Sequence, residues 1–232
     1  MIPLRDENPN RGVPFVTAAV IAANIFTFFY EVKLGSGLEA FLQEFALIPT
    51  HLLSSVPSIP EFLAPWTTLV TSLFLHGGIA HLIGNMWFLW IFGGNVEDFL
   101  GSIPYLLFYL LSGVSASLLH VILQPSSAIP LIGASGAISG VLGAYVILHP
   151  AMRIRTLVTL GFFWDVIYIP AWIFLGLWFG MQFFGLLGSV TSVAHDAHVG
   201  GFGVGMGLIF LVTRKSPVQP YYRFEYRRAR RW

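Results

Sequence analysis

Long apolar segments alternate with short polar ones along most of the chain. Six apolar segments lie at 13–32, 79–97, 103–123, 133–148, 168–187 and 195–213. Most of them approach the roughly 20 residues that an α-helix needs to cross a hydrocarbon core of about 30 Å. We therefore predict an all-α membrane protein, a bundle of six transmembrane helices.

Two connecting segments have mixed polarity and are not expected to cross the membrane. The segment 35–78 contains four prolines and is predicted to be a structured loop, with short amphipathic helices within 38–53 lying at the membrane interface. The segment 152–165 carries Arg153 and Arg155 and is also predicted to be interfacial. The chain thus divides into an N-terminal segment 1–12, a membrane domain 13–213 and a basic tail 214–232.

Composition supports this division. Of the 232 residues, 56% are hydrophobic and 10% are charged, and the mean hydropathy is +0.75. Soluble domains average about 25% charged residues, so this chain could not cover a soluble surface. It has no cysteine, which excludes disulfides and thiolate sites.

The distribution of basic residues predicts the orientation. An even number of spans places both termini on the same side of the membrane. Eleven of the 12 Lys and Arg residues then fall on that side, and Lys33 is the exception. Basic residues concentrate on the cytoplasmic side of membrane proteins. We expect cytoplasmic termini, a prokaryotic plasma membrane, and a basic tail that meets anionic lipid rather than nucleic acid.

Four polar residues lie near the outer ends of three predicted spans that run in the same direction: His81, Asn85, Ser135 and His198. Polar groups inside a membrane are costly, so they point to function by default. His81 and Asn85 are four residues apart and share one helix face. Ser135 and His198 belong to spans rich in small residues, GASGAISGVLGA and HVGGFGVGMG. Small residues allow two membrane helices to pack closely.

A serine next to a histidine indicates acyl-transfer chemistry. Ser135 would be the nucleophile, and His198 would be the base that removes its proton. No aspartate is placed to orient the ring, since Asp196 points elsewhere on a helix, so we predict a dyad. The side chains of His81 and Asn85 and the backbone N–H of Ser135 are candidate donors to an oxyanion.

Other interpretations of the same residues remain open at this point. Ser135 could be a packing residue in a glycine-rich helix, and Asn85 could form an interhelical hydrogen bond. His195 and His198 form an HxxH pair, but no cysteine or carboxylate shares their face, which disfavours zinc. A transporter or channel would be expected to have broken helices and repeated halves, which this sequence lacks.

Three ordered motifs resemble the signature segments of the rhomboid family. They are HGGIAHLIGN at 76–85, GASG at 133–136 and AHVGG at 197–201, and the stretch GGNVEDFLG at 93–101 is also similar. The resemblance implies an intramembrane serine protease that cleaves other membrane proteins in or near their transmembrane segments. It implies no cofactor and no metal, and it leaves the oligomeric state open.

The resemblance also implies roles for individual residues. Ser135 would be the nucleophile, His198 the base, and His81 with Asn85 the oxyanion donors. His76 matches a structural histidine. The glycines that would support the site are Gly133, Gly136, Gly201 and Gly205.

One position departs from the family pattern. Many members carry an aromatic residue one turn after the nucleophile, where it stacks on the base, whereas this chain has Ser139. How the His198 ring is held is therefore open. A non-catalytic member of the family that binds membrane helices is the main alternative. Such members typically lack the serine or the histidine, and both are present here. In the protease hypothesis, substrate enters laterally past the fifth span and the loop 188–194.

Overall fold

A computed structural model describes residues 1–10, 12–53, 65–160, 163–188 and 193–215 of the chain. These ranges contain three strands, β1 (Ile2–Asp6), β2 (Arg153–Leu160) and β3 (Phe163–Pro170). The helices are α1 (Phe15–Leu34), α2 (Leu38–Phe45), α3 (Pro49–Leu53), α4 (Thr68–Thr71), α5 (Ile79–Leu100), α6 (Ser102–Leu123), α7 (Ser135–Leu148), α8 (Ala171–Leu186) and α9 (His195–Lys215). Short 3₁₀ turns lie at Gly35–Gly37, Pro65–Thr67 and Ser72–Phe74.

Each of the six predicted spans coincides with a helix, namely α1, α5, α6, α7, α8 or α9. Within the described residues, three helical stretches are long and apolar enough to cross a membrane: α1 continued into α2, α6, and most of α9. Helix α5 qualifies together with the preceding helical segment Pro65–Phe74, from which it is bent by 82°. Helices α7 and α8 are apolar but shorter, with 14 and 16 residues. The apolar helical architecture is confirmed, and the count of six spans stays a prediction.

The first connecting segment was predicted to contain short helices within 38–53, and α2 and α3 confirm them. Residues 54–64, which include two of the loop prolines, lie outside the described residues. The same holds for the basic tail beyond residue 215 and for residues 189–192 of the predicted entry loop.

Helix α7 is the centre of the bundle. Its residues 136–145 are all buried, and it packs against α5, α6 and α9. The approach to α9 is the closest, because a Cβ atom on Gly201 or Gly205 would overlap the carbonyl oxygen of Gly136 or Gly140. On α7, a Cβ at Gly143 would likewise overlap the carbonyl oxygen of Phe202. The predicted packing through small residues is therefore present, with backbone against backbone.

Glu97 joins the start of α1 to the junction of α5 and α6. Its carboxylate accepts hydrogen bonds from the backbone N–H groups of Val16 and Thr17, at 2.9 and 2.8 Å. It also accepts from the hydroxyls of Thr17 and Ser102. The first N–H groups of a helix have no partner inside the helix, and a carboxylate there also favours the helix dipole. Glu97, one of the two acidic residues of the GGNVEDFLG stretch, thus caps a neighbouring helix.

A three-stranded antiparallel sheet, ordered β1-β2-β3, was not predicted from the sequence. Ile2 pairs with Leu157 in the first ladder, and Arg155 pairs with Tyr168 in the second. The segment predicted to be interfacial therefore forms most of a hairpin. Helix α8, which corresponds to the fifth predicted span, begins at Ala171 rather than at residue 168. The sequences TLVTL and FWDVIYI are rich in β-branched and aromatic residues, which favour strands. This composition could have indicated the hairpin.

Asp6 anchors the sheet to the helical bundle. Its carboxylate accepts hydrogen bonds from the Asn95 side-chain amide on α5, at 2.6 Å, and from the Tyr145 hydroxyl on α7, at 2.9 Å. The indole N–H of Trp87 on α5 donates to the carbonyl of Pro3, also at 2.6 Å. Burial raises the pKa of Asp6 from 3.8 to about 6. The N-terminal segment is thus part of the folded unit.

The packing of α7 on α9 can be tested with one methyl group. Gly205→Ala should lower the free energy of unfolding by about 1–3 kcal/mol, the usual cost of overpacking, because the helices must separate to admit the methyl. Gly203→Ala is the matched control, because a Cβ there meets nothing within 4 Å. Thermal unfolding in detergent checks both variants, and equal melting temperatures would contradict the packing described here.

The raised pKa of Asp6 predicts a pH-dependent stability. The folded protein binds the Asp6 proton more tightly than the unfolded chain does, because its pKa moves from 3.8 to about 6. This contribution is fully present below about pH 4 and is lost as the pH rises through 6, a change of about 2–3 kcal/mol. Asp6→Asn should remove that slope. Unfolding measured from pH 4 to 8 checks it, and identical slopes for both proteins would refute it.

Candidate active site

Ser135 and His198 meet where the N-terminal ends of α7 and α9 converge. Ser135 is the first residue of α7, and His198 lies in the first turn of α9. The Nε2 atom of His198 is 2.7 Å from the Ser135 Oγ atom. Both residues are half-buried. The two side chains that the sequence analysis paired are thus within hydrogen-bond distance, brought together by the close packing of their helices.

The chain reaches Ser135 through a turn that requires glycine. Gly133 has φ of +124°, and its N–H donates to the carbonyl of Ser72 at 2.9 Å. A Cβ atom on Gly133 would lie 2.8 Å from Cε1 of His81 and 3.6 Å from Nδ2 of Asn85. The backbone just before Ser135 therefore passes directly beside these two side chains. All four predicted polar residues lie around one region, at the N-terminal ends of α5, α7 and α9.

His76 lies behind Asn85. The Nε2 atom of His76 is 3.0 Å from Nδ2 of Asn85, and its ring centroid is 5.1 Å from that of His81. The backbone N–H of His76 donates to the carboxylate of Glu31 on α1. An amide group has two N–H donors. One of them can bond to His76 while the other stays free to donate toward Ser135.

Gln182 on α8 is a polar contact of His198 that the sequence analysis did not identify. Its Oε1 atom is 2.8 Å from Nδ1 of His198 and 2.8 Å from Nδ1 of His195. A lone glutamine among the apolar residues of the fifth span was the available signal, since polar groups inside membranes are costly. Gln182 and His198 are 16 positions apart in the sequence and lie on different helices. Helical periodicity therefore could not predict that their side chains meet.

The His198 ring also contacts an aromatic side chain, which comes from α8 rather than α7. Ser139 donates its hydroxyl to the carbonyl of Ser135 at 2.6 Å, within its own helix. The Trp178 ring lies 6.1 Å from the His198 ring, with 31° between the planes. A tryptophan of a different helix thus lies next to His198, in a chain that has serine at the expected aromatic position.

Asp196 points away from His198, as its helix position predicted. Both of its carboxylate oxygens are 2.9 Å from Nδ1 of His120, near the end of α6. It also accepts from the backbone N–H of Ala197 at the start of α9. His120 was given no role from the sequence. Together the two residues join the C-terminal end of α6 to the first turn of α9, which also carries His198.

Comparison with known proteins agrees with these features. The model of the Rhomboid domain matches residues 64–215, which include all the residues assigned to the site. Rhomboid protease GluP of Bacillus subtilis (strain 168) is 34% identical over 191 residues, which are 82% of this chain and 33% of the relative. Rhomboid-like protein 11, chloroplastic, of Arabidopsis thaliana is 33% identical over 153 residues, which are 64% of this chain and 53% of the relative.

The chain therefore aligns with between a third and about half of the length of these relatives. The family model covers well over half of the chain, and it extends from the segment before α5 to the end of α9. The three ordered motifs, the apolar helices and this match lead to one conclusion: the chain belongs to the rhomboid family.

Proposed function

We propose that this protein is an intramembrane serine protease that hydrolyses peptide bonds in or near the transmembrane segments of other membrane proteins. The observation that carries the proposal is the 2.7 Å contact between the Ser135 Oγ and the His198 Nε2. A serine hydroxyl is a weak nucleophile until a base accepts its proton, and histidine is the usual base. The two residues come from different helices, so their contact requires the tertiary structure.

The proposed reaction proceeds through an acyl-enzyme. His198 Nε2 takes the hydroxyl proton as the Ser135 Oγ attacks the carbonyl carbon of the scissile bond. The tetrahedral intermediate collapses, the C–N bond breaks, and the leaving amine receives the proton from His198. Water then attacks the ester carbonyl, with His198 again accepting a proton. The bond between the carbonyl carbon and the Ser135 Oγ breaks, His198 returns the proton to the Oγ, and the carboxylic acid is released.

Three donors are proposed to stabilise the oxyanion of each tetrahedral intermediate: the backbone N–H of Ser135 and the side chains of His81 and Asn85. The N–H of Ser135 has no acceptor within its own helix, because it is one of the first N–H groups of α7. The two side chains adjoin the backbone of Gly133, two residues earlier. His76 would hold the amide of Asn85 in place. Donors fixed before the reaction stabilise developing charge without reorganisation.

We further propose that the substrate enters from the lipid past α8, in a six-span bundle with cytoplasmic termini. The buried residues of α8, Ala171, Phe174 and Leu175, all lie in its first two turns. Its second half instead carries exposed apolar side chains, among them Met181 and Phe184. This half is next to the site, because it carries Gln182. The loosely packed end of the helix is the natural place for a transmembrane segment to approach Ser135.

Replacing either member of the dyad tests the function. Ser135→Ala and His198→Ala should each lower kcat by at least about 10³-fold, because members of such a unit act together. Cleavage of a fluorogenic transmembrane substrate by purified protein in detergent is the measurement. Ser115→Ala on α6 is the matched control for loss of a hydroxyl elsewhere. Wild-type protein that cleaves no faster than Ser135→Ala would favour a non-catalytic membrane-helix binder.

The oxyanion donors predict a different kinetic effect. Asn85→Ala and His81→Ala should each lower kcat by about 10²–10³-fold, the usual loss for one such donor. KM should change little, because the donors act mainly on the transition state. Steady-state kinetics with the same substrate measure both constants. An increase in KM at unchanged kcat would instead assign these side chains to substrate binding.

A further inference from the structure

We propose that Gln182 is the positioning residue of the catalytic base, occupying the place that a carboxylate takes in a catalytic triad. The inference rests on the proposed protease function. Its geometric basis is the 2.8 Å contact between Gln182 Oε1 and His198 Nδ1, on the side of the ring opposite to Ser135. Gln182 does not touch the reacting atoms, so it acts through His198.

The contact determines which ring nitrogen carries the proton. A carbonyl oxygen can only accept a hydrogen bond, so Nδ1 of His198 must be the N–H donor. A neutral imidazole has a single N–H, which leaves a lone pair on Nε2. That lone pair lies 2.7 Å from the Ser135 Oγ and can accept the hydroxyl proton. The opposite tautomer would direct an N–H at the serine and could not act as its base.

A second histidine holds the glutamine itself. Nδ1 of His195 lies 2.8 Å from the same Oε1 atom. The two rings are almost perpendicular, at 88°. Gly185, one turn after Gln182, leaves the space, because a Cβ there would lie 2.6 Å from atoms of the His195 ring. An oxygen that accepts from two directions has little freedom to rotate away from His198.

Other polar groups near His198 are engaged elsewhere. The Asp196 carboxylate binds His120 and the backbone of Ala197, and the Ser139 hydroxyl binds the carbonyl of Ser135. The Trp178 ring lies beside the His198 ring, and the hydrogen bond at Nδ1 of His198 is with Gln182. Within the described residues, Gln182 is therefore the group that can fix the tautomer of His198.

An uncharged acceptor suits this location. A carboxylate in the membrane carries a large desolvation cost, which its partner offsets only in part. An amide oxygen orients the ring at a much smaller cost. It also stabilises the imidazolium less than a carboxylate would, so the base remains neutral before the reaction over a wider pH range.

The test compares three substitutions on α8 by steady-state kinetics. Gln182→Met keeps the length of the side chain and removes the acceptor. It should lower kcat about 10- to 100-fold, the factor for one lost hydrogen bond, with KM within about twofold. Met181→Leu is the matched control at the neighbouring exposed position and should leave both constants unchanged.

Gln182→Glu separates a positioning role from packing. It keeps an acceptor at the same place and adds a negative charge, which favours the protonated base. The acid limb of the kcat/KM profile against pH should move to higher pH by one unit or more. The other ionisable groups that act on His198, namely His81, His195 and Asp196, stay in place. A residue that only fills space would leave the profile where it is.

The outcomes distinguish the two proposals. Wild-type kcat in Gln182→Met, or an unshifted pH profile in Gln182→Glu, would overturn the positioning role while Ser135→Ala remained inactive. Equal activity of wild type and Ser135→Ala would overturn the proposed function itself. If Gln182→Met fails to fold, the pH profile of Gln182→Glu decides alone.

Discussion

The separation of α7 from α9 is the constraint on which the candidate site depends. Glycines at positions 143, 201 and 205 place the backbone of each helix against the other. The distance between the Ser135 Oγ and the His198 Nε2 therefore follows from the spacing of the two helices. A hydrogen bond between side chains this short tolerates a shift of only a few tenths of an ångström. Side chains larger than hydrogen at the contact would move the two helices apart and separate the pair.

The polar groups of the bundle follow a division between neutral and charged residues. The groups around Ser135 are histidine, asparagine and glutamine side chains, which can donate or accept without carrying a full charge. Four buried carboxylates, Asp6, Glu31, Glu97 and Asp196, lie outside this group. Each accepts a hydrogen bond from a different part of the fold. Each joins separate elements of the fold. Carboxylates thus link separate parts of the fold in this structure, and the candidate site relies on uncharged donors and acceptors.

Sequence patterns predicted much of this arrangement, for reasons that also explain the failures. Ser135 and His198 were identifiable because polar residues in apolar helices are conspicuous, and because their glycine-rich helices implied close contact. Gln182 was equally polar, but the loop between α8 and α9 concealed its register relative to His198. The sheet was missed because hydropathy measures apolar content and does not distinguish a hairpin from the start of a helix. Pairing between residue 2 and residue 157 has no local signal at all.

That long-range pairing has a consequence for how the protein is made. Ile2–Asp6 leaves the ribosome well before its partner strand, Arg153–Leu160, which is synthesised only after the first four apolar segments. The hydrogen bonds that Asp6 accepts from Asn95 and Tyr145 likewise form only after α5 and α7 have been synthesised. Contacts between distant parts of a chain form late, because the intervening loop must close first. The strand Ile2–Asp6 therefore reaches its final place only after the later elements that it contacts have been made.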